Sequence, residues 1–386
     1  MKSIINNNSN LLVLITYLVI NTLFVIKYGV RQDSINLYFL IFSYLIITTG
    51  SLFLIKYFEE VINRLKKFNI LFLSICVLIF IGFVSVNYII DGNTLNIDRW
   101  SALEVTVKSA LNLEYPYNIK DHLGKTTSNL PGLFYLGLPF YLIGNIGLLQ
   151  AFVFGLLIFL IFKLKYSNSE KLFFLTLLMF SPSYLWEVFV KSDLMSNIFL
   201  VVIFMFLWNY KNNKDYFKNT YLLSFLSAFF VLTRAILIIP LTLMLFKQFV
   251  KTSFKNKVKY SFGFVISIIL ISLPVLFSLP EYDVIKEHNP FNHQTRVGPK
   301  YLQYIFLIIP FYFSLHILTL KDVLKYSTRI LTALLFLILT YYLWEFGFQK
   351  VVILSYFDIS YLGMILPFLI FLFIENLSAR RLIIKK

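Results

Sequence analysis

The sequence predicts an all-α, polytopic membrane protein of about twelve transmembrane helices with an extracytoplasmic, helical juxtamembrane insert. Of the 386 residues, 59% are hydrophobic and 14% are charged, and the mean hydropathy is +0.77. A soluble domain carries about a quarter charged residues, so this composition is typical of an integral membrane protein. Apolar stretches recur along the chain, and one polar segment of residues 91–130 interrupts them. Basic residues gather in alternate loops.

A helix that crosses the hydrocarbon layer needs about 20 apolar residues. Candidate segments lie near residues 11–30, 35–56, 69–90, 146–163, 171–187, 194–210, 220–233, 235–247, 259–279, 302–318, 330–347 and 356–376. The short pair within 220–247 is either one bent segment or two tilted segments. We expect one membrane domain over residues 1–386, with an extra N-terminal helical hairpin within 1–68, an outer insert over 91–145 and a second outer loop over 280–300.

The net charge of +16 follows the loops. If the N-terminus is cytoplasmic, 23 of the 35 basic residues fall on the inner side. This positive-inside bias predicts that both termini are cytoplasmic and that the insert is outside. The basic charge then serves topology and contact with anionic membrane lipids, and we expect no nucleic-acid partner. The single cysteine, Cys76, excludes an intrachain disulfide.

Within the insert, apolar residues recur at helical spacing. Trp100, Leu103, Val107 and Leu111 lie three or four residues apart, with polar residues between them. This pattern predicts a helix of about four turns that lies on the outer leaflet with its apolar side down. Asp98 begins it, and an N-cap is one explanation for an aspartate there.

Residues 131–145 are apolar but too short to span, and prolines and glycines interrupt them. Irregular backbone is not tolerated against lipid, so this stretch is either interfacial or buried against other helices. A re-entrant wall beside an outward cavity satisfies both conditions.

Several of these segments together resemble the GT-C class of integral-membrane glycosyltransferases, in particular the bacterial branch that uses polyprenol-phosphate sugars. The matching residues are Asp98-Arg99-Trp100, the helix up to Leu113, Tyr115-Pro116-Tyr117, the stretch from Leu130 to Tyr135, Ser181-Pro182, Lys191-Ser192-Asp193, and Leu232-Thr233-Arg234 with Ile238 to Leu241 after it. The likeness covers about residues 69–300 and depends on spacing and residue type. The hairpin before it and the lack of a large outer C-terminal domain depart from the family pattern.

The resemblance implies transfer of a sugar from a polyprenyl-phosphate donor to a glycan, lipid or protein acceptor, outside a bacterial inner (plasma) membrane. It places the catalytic general base at Asp98 and a second outer acidic residue at Asp193. It also implies a substrate cavity at Arg99, Trp100, Tyr115 and Tyr117.

Arg234 is the sharpest candidate for binding the donor phosphate, because a guanidinium in an apolar sequence is costly and its fork geometry suits phosphate. The alternative is a structural pair with Asp193 or Asp358. In the second outer loop, His293, Arg296 and Lys300 are further candidates for phosphate contacts. For Asp193, the alternatives are a pair with Lys191 or a helix cap.

No HExxH motif or Cys/His set occurs, so no protein metal site is predicted. A divalent ion, Mg²⁺ or Mn²⁺, held by Asp98 together with Asp193 stays an open alternative, because some members of the class use one. Two other functions are open as well. An O-antigen or capsule polymerase carries its large polar loop late in the chain. A lipid-linked-sugar flippase or transporter carries related halves or several buried charges, whereas here Arg234 is the one strongly intramembrane cation that the sequence indicates.

Overall fold

The computed structural model describes residues 8–212, 215–294 and 298–384. These residues form helices and no β-strand, and an isolated bridge between Lys120 and Thr126 closes a turn in the insert. The predicted all-α fold class is confirmed. The α-helices, in chain order, are α1 (Asn8–Gly29), α2 (Leu37–Tyr57), α3 (Glu59–Arg64), α4 (Phe68–Ile89), α5 (Arg99–Leu111), α6 (Gly132–Leu142), α7 (Leu148–Lys163), α8 (Asn168–Met179), α9 (Pro182–Phe189), α10 (Leu194–Asn212), α11 (Thr220–Thr233), α12 (Ile238–Lys251), α13 (Phe254–Leu276), α14 (Tyr282–Glu287), α15 (Pro290–Gln294), α16 (Lys300–Ser314), α17 (Leu320–Phe348) and α18 (Leu366–Ile384).

Seven helical segments in these ranges are long and apolar enough to cross a membrane: α1, α2, α4, α10, α13, the segment Leu320–Ile353 and the segment Ile359–Ala379. Helices α8 and α9, which are bent by 61° against each other, make an eighth span if they cross as one. The chain therefore has the helices of a multi-pass membrane protein, but the predicted count of about twelve is not confirmed. The difference lies in α7, α11, α12 and α16, which have only 14 to 16 residues, where a full span needs about 20.

The centre of the bundle is formed by α10 and the C-terminal segment Ile359–Ala379. Buried residues make up 72% and 78% of their apolar windows, compared with 17% for α2 and α4 and 11% for α13. Because α2, α4 and α13 turn most of their apolar side chains outward, they supply the surface that suits lipid.

The N-terminal hairpin is joined to the core through α1. The Tyr17 hydroxyl donates to the carbonyl of Leu177 at 2.6 Å. The side-chain oxygen of Asn21 accepts from the Ser181 hydroxyl at 2.8 Å and from the Ser183 amide at 3.2 Å. These buried bonds attach α1 to the bend between α8 and α9, so the hairpin is an integral part of the bundle.

The loops of the bundle gather at two ends. At one end, Asn168 donates to the carbonyl of Ile62 at 3.0 Å and Lys171 donates to Asn69 at 2.7 Å. We call this the basic end, since it holds most of the lysine-rich loops. The insert lies at the opposite end, where the Asn145 amide donates to the carbonyl of Asn87 at 2.9 Å.

The predicted helix of the insert is α5, which has 13 residues. Leu103 and Val107 are fully buried, but Leu111 is 47% exposed and does not belong to the buried face. The helix packs on α6 and also buries Ser101 and Thr106. It is therefore covered by protein on more than one side, because the loop after it folds back over it: Thr106 and Thr127 lie 3.3 Å apart.

The Pro- and Gly-rich stretch after the insert forms the short helix α6. Its first turn is buried against other helices, whereas Tyr135 (37%) and Leu142 (70%) are exposed. Gly132 lies against the backbone of α11, and a Cβ there would be 2.7 Å from the carbonyl carbon of Leu232. Only glycine permits this close approach. It places the end of the insert beside Leu232, which precedes Arg234 by two residues in the chain.

Candidate functional site

Arg234 lies at the turn of a helical hairpin inside the bundle. It ends α11, and the short 3₁₀ segment Ala235–Leu237 leads from it into α12. Each helix has 14 residues, which is about 21 Å at 1.5 Å per residue. The hydrocarbon layer is about 30 Å thick. Lys247 and Lys251 mark the basic end of α12, so the turn at Arg234 lies at the far end of two helices that are each shorter than a full span.

Arg234 is paired with Asp193, the residue just before α10. Its Nη2 atom lies 2.6 Å from both carboxylate oxygens, and its Nε atom lies 3.2 Å from Oδ2. The side chains are 10% and 1% exposed. Asn197, one turn into α10, donates to Asp193 at 2.7 Å. Of the alternatives that the sequence left open, the structure therefore selects the pair of Arg234 with Asp193.

Asp193 is held in place by a second buried carboxylate. Glu187 accepts hydrogen bonds from the amides of Met195 (2.6 Å) and Ser196 (2.7 Å) and from the Ser196 hydroxyl (2.7 Å). It thereby caps the first turn of α10, where free amides need acceptors. Sequence reasoning did not assign Glu187 this role, although an acid shortly before an apolar helix is a recognisable capping signal.

A cleft of about 210 Å³ opens beside the Arg234 side chain. Its lining residues are Ser128, Leu194, Arg234, Ala235, Ile236, Ile239, Gln303, Phe306, Leu307, Leu334, Leu335, Ile338, Tyr361 and Met364. The polar groups are few, and the walls, from α12, α16 and α17, are aliphatic or aromatic. A cation in an otherwise apolar cleft is suited to an amphiphile that carries an anionic group.

The guanidinium of Arg234 is only partly used by its pair. Asp193 occupies Nε and Nη2, and within the described ranges no protein group accepts a hydrogen bond from Nη1. The remaining N–H groups of Arg234 are therefore available to a ligand in the cleft. Asp193 fixes the orientation of the guanidinium, which reduces the entropy lost when a ligand binds.

Asp98 occupies the N-cap position of α5, but its side chain makes no capping hydrogen bond. Instead the carboxylate lies 3.2 Å from Lys125 Nζ and is 30% exposed. The N-cap explanation for this aspartate therefore does not account for its side chain. Asp91, by contrast, accepts from the Asn93 amide at 2.9 Å and is a turn residue.

Asp98 does not line the cleft, and Arg99 lies between the two. Arg99 forms an ion pair with Asp358, donates to the Ser360 hydroxyl at 3.3 Å and lies 5.4 Å from the centre of the Tyr361 ring. Tyr361 is itself a cleft residue. Of the predicted site residues, the structure thus brings Asp193 and Arg234 together and joins Asp98 to their cleft only through Arg99 and Tyr361.

The ion pair of Arg99 and Asp358 lies outside the spans and is strongly charged. Burial raises the pKa of the Asp358 carboxyl, but Arg99, Lys27 and the hydrogen bond from the Ser360 amide outweigh burial and hold this pKa below its ordinary value. Burial lowers the pKa of Arg99, whereas Asp358 and Tyr361 raise it, with a net increase. Both groups are therefore ionised at neutral pH.

The remaining predicted cavity residues do not line the cleft. The Trp100 indole donates to the carbonyl of Gly92 at 2.9 Å. Tyr115 and Tyr117 are 6% and 2% exposed, with their ring centres 5.2 Å apart. The Tyr115 hydroxyl lies 3.5 Å from the carbonyl of His288, so these tyrosines support the contact between the insert and the loop over residues 280–300.

In that second loop, Lys300 is exposed at the first position of α16 and does not line the cleft, whereas Gln303, one turn further on, does. Arg296 lies outside the described residues, as does the side chain of His293. Gln303, Tyr361 and Ser128 are cleft residues that sequence reasoning missed. Their residue types are common, and no local pattern distinguishes them.

Metal coordination finds little support in this arrangement. Within the described residues, no group of three or more His, Cys, Asp or Glu side chains is close enough to hold an ion. Asp193 is already paired with Arg234, and Asp98 with Lys125. The Asp98–Asp193 pair that the sequence left open as a metal site is thus occupied by cationic side chains.

Comparison of the chain with protein-family models, with curated proteins and with solved structures finds no match. The class that fold and composition define is a multi-pass α-helical membrane protein.

The buried pair leads to a prediction about stability. Asp193→Asn leaves the Arg234 charge without a counter-ion, and breaking a buried pair costs about 3–5 kcal/mol. We expect a clearly lower thermal unfolding midpoint in mild detergent. Glu60→Gln, which removes an exposed pair with Arg64 (side chains 88% and 82% exposed), is the control and should leave the midpoint unchanged. An Asp193→Asn midpoint equal to that of the parent would contradict the pair's importance.

Proposed function

We propose that the protein transfers a sugar from a polyprenyl-phosphate donor to an acceptor on the outer face of a bacterial plasma membrane. The observation that supports this best is the Arg234 cleft, which combines a buried cation of fixed orientation with walls of aliphatic and aromatic side chains. A polyprenyl-phosphate sugar has matching parts, namely an anionic group and an isoprenoid chain.

In this proposal the donor phosphate binds Nη1 of Arg234 while the isoprenoid chain lies along α12, α16 and α17. Phe306, Leu335 and Ile338 supply apolar contacts for the first isoprene units. Charge-assisted hydrogen bonds from arginine to phosphate are about twice as strong as neutral ones, and the low dielectric of the cleft strengthens them further. The sugar then extends from the phosphate towards Tyr361 and the insert.

The reaction is a displacement at the anomeric carbon. Asp98 takes the proton of the acceptor hydroxyl, and the hydroxyl oxygen forms a bond to the anomeric carbon. The bond from that carbon to the phosphate oxygen breaks, and polyprenyl phosphate leaves with its new charge stabilised by Arg234. Asp98 suits the base better than Asp193 because its carboxylate is 30% exposed and reachable from water, whereas that of Asp193 is 1% exposed and holds Arg234.

A transporter of lipid-linked sugars is the second candidate, and one observation favours it. Lys27, in the first span, is only 5% exposed. Arg234 is therefore not the only buried cation in the described helices, and several buried charges are typical of transport pathways. The two functions differ in whether a glycosidic bond forms.

Turnover tests the proposal directly. The purified protein in vesicles is supplied with radiolabelled polyprenyl-phosphate sugars or with the corresponding nucleotide sugars, together with membrane-extracted acceptors. We expect label to enter the acceptor from the lipid-linked donor and not from the nucleotide sugar. Movement of labelled donor between leaflets without any transfer would overturn the proposal in favour of the transporter.

The side of the membrane on which the insert lies is a separate prediction, because a lipid-linked donor is needed only if the insert faces the outside of the cell. Cys76 is 2% exposed, so the parent should resist maleimide labelling. Lys125→Cys places a thiol on an exposed loop of the insert, and Lys66→Cys places one at the basic end. In intact cells a membrane-impermeant maleimide should label the first variant and not the second. The reverse pattern would remove the basis for a lipid-linked donor.

A further inference from the structure

A second group of cations lies at the insert end of the bundle, and one of its members, Arg99, borders the Arg234 cleft through Tyr361. Lys27, near the end of α1, lies within electrostatic range of Asp358, Arg31 and Arg99. Arg31 stacks over the Tyr28 ring at 5.0 Å. Lys27 and Arg99 therefore share the carboxylate of Asp358. The other acid that acts on Arg99 is Asp98, which Lys125 already neutralises.

The hydrogen-bond donors in this group also exceed the acceptors. Asp358 accepts from Arg99 and from the Ser360 amide. Lys27 is 5% exposed, and among the described residues its Nζ atom has no hydrogen-bond or ion-pair partner; it lies 5.9 Å from the centre of the Tyr28 ring.

The neighbouring side chain of Trp186 also has a hydrogen-bond donor without an acceptor within the described ranges. The ring of Trp186 lies 6.3 Å from that of Tyr28, and its indole nitrogen is buried with no acceptor in the described part of the chain. A buried ammonium and a buried indole N–H without acceptors are each costly. A ligand that only accepts hydrogen bonds and carries negative charge would satisfy both.

We propose that Lys27, Arg99 and Trp186 form a second anion site, which binds the phosphate group of a membrane lipid. The lipid source follows from the position of α1, which exposes the apolar side chains of Leu12 (61%), Ile15 (47%) and Val19 (41%) in its first half and is followed by exposed Val30 (45%). An acyl or isoprenoid chain can lie along this surface while the phosphate reaches the end of the helix. The site borders the Arg234 cleft through Arg99, but binding of a lipid here requires no sugar transfer.

Native mass spectrometry of the detergent-purified protein tests this site with two matched probes. Phosphatidylglycerol carries the phosphate, and diacylglycerol with the same acyl chains lacks it. We expect the parent to retain phosphatidylglycerol in preference to diacylglycerol. Lys27→Met keeps the aliphatic stem without the charge, and it should weaken retention of phosphatidylglycerol about tenfold, the effect of one charge-assisted hydrogen bond.

Two further variants make the result specific. Trp186→Phe removes the indole N–H and keeps an aromatic ring, and it should weaken retention in the same direction. Lys66→Met, at the basic end, is the control for loss of a lysine charge and should retain the lipid like the parent. These measurements report lipid binding and involve no sugar transfer, so failure of this site and failure of the proposed transferase are distinguishable.

A thermal measurement covers the case in which Lys27→Met alters folding. Added phosphatidylglycerol should raise the unfolding midpoint of the parent and not that of Lys27→Met. Equal stabilisation of both proteins would overturn the proposal, and so would equal retention of the two lipid probes. Stabilisation by inorganic phosphate as large as that by the lipid would show that the site takes a soluble anion, and it would overturn the assignment to a lipid.

Discussion

Replacing Arg234 with glutamine is expected to lower the rate of sugar transfer by about 10³-fold. Removing a single preorganised donor to a developing negative charge costs about 10²–10³ in rate, and arginines that stabilise a phosphoryl group contribute 10³–10⁵. Arg234 is fixed by Asp193 through Nε and Nη2, so its Nη1 edge meets the leaving phosphate without reorganisation. The measurement is single-turnover transfer from labelled polyprenyl-phosphate sugar in vesicles.

The Arg234 variant needs a control for stability, because glutamine leaves the Asp193 carboxylate buried without a cation. The double variant Asp193→Asn with Arg234→Gln removes both charges and should restore much of the stability while leaving transfer as slow as in the single variant. Arg234→Lys keeps the charge but loses the planar fork, and we expect it to be intermediate in rate. Parental rates in the folded double variant would exclude Arg234 from the chemistry.

Replacing Asp98 with asparagine is expected to lower kcat by about 10²–10⁴-fold, the usual contribution of a general base. Since the Asp98 side chain makes no capping hydrogen bond and is partly exposed, the change should leave the fold intact. Donor binding, measured with polyprenyl phosphate, should stay at the parental level because Asp98 does not line the cleft. We therefore expect the substitution to lower kcat and to leave the affinity for the donor unchanged.

Asp91→Asn is the matched control, since Asp91 is a carboxylate of the same insert whose side chain accepts from the Asn93 amide. Asparagine supports this turn equally well, so its transfer rate should equal that of the parent. Full activity of Asp98→Asn would show that Asp98 is not the general base.

The helices themselves were predictable because hydropathy is a local property of the sequence. The segment predicted at 259–279 is α13 (Phe254–Leu276), and that at 194–210 is α10 (Leu194–Asn212). The number of spans was not predictable in the same way. Apolar segments such as 220–233 and 235–247 have the composition of a span but stop after 14 residues at Arg234 or in a polar loop. Composition alone does not separate a buried half-length helix from a full crossing.

For the candidate site, the sequence indicated the residues but not their partners. Arg234 and Asp193 stand out because each is ionisable beside apolar sequence. The choice between Asp193 and Asp358 as partner of Arg234 depended on how distant helices pack, which a single sequence does not encode locally. Lys27 was missed because it looks like a basic residue at a helix boundary, where lysines normally reach the surface. The packing of α1 against the C-terminal segment Ile359–Ala379 instead buries Lys27.

Photo-crosslinking tests the claim that the Arg234 cleft binds a phosphate on an isoprenoid chain. A polyprenyl phosphate with a diazirine in its first isoprene units is irradiated with the reconstituted protein, and the labelled residues are mapped by mass spectrometry. We expect labels on Ile236, Phe306 and Leu335 in the parent and their loss in Arg234→Gln. Labels spread over lipid-facing residues such as Leu71 and Leu270, with no dependence on Arg234, would contradict the claim.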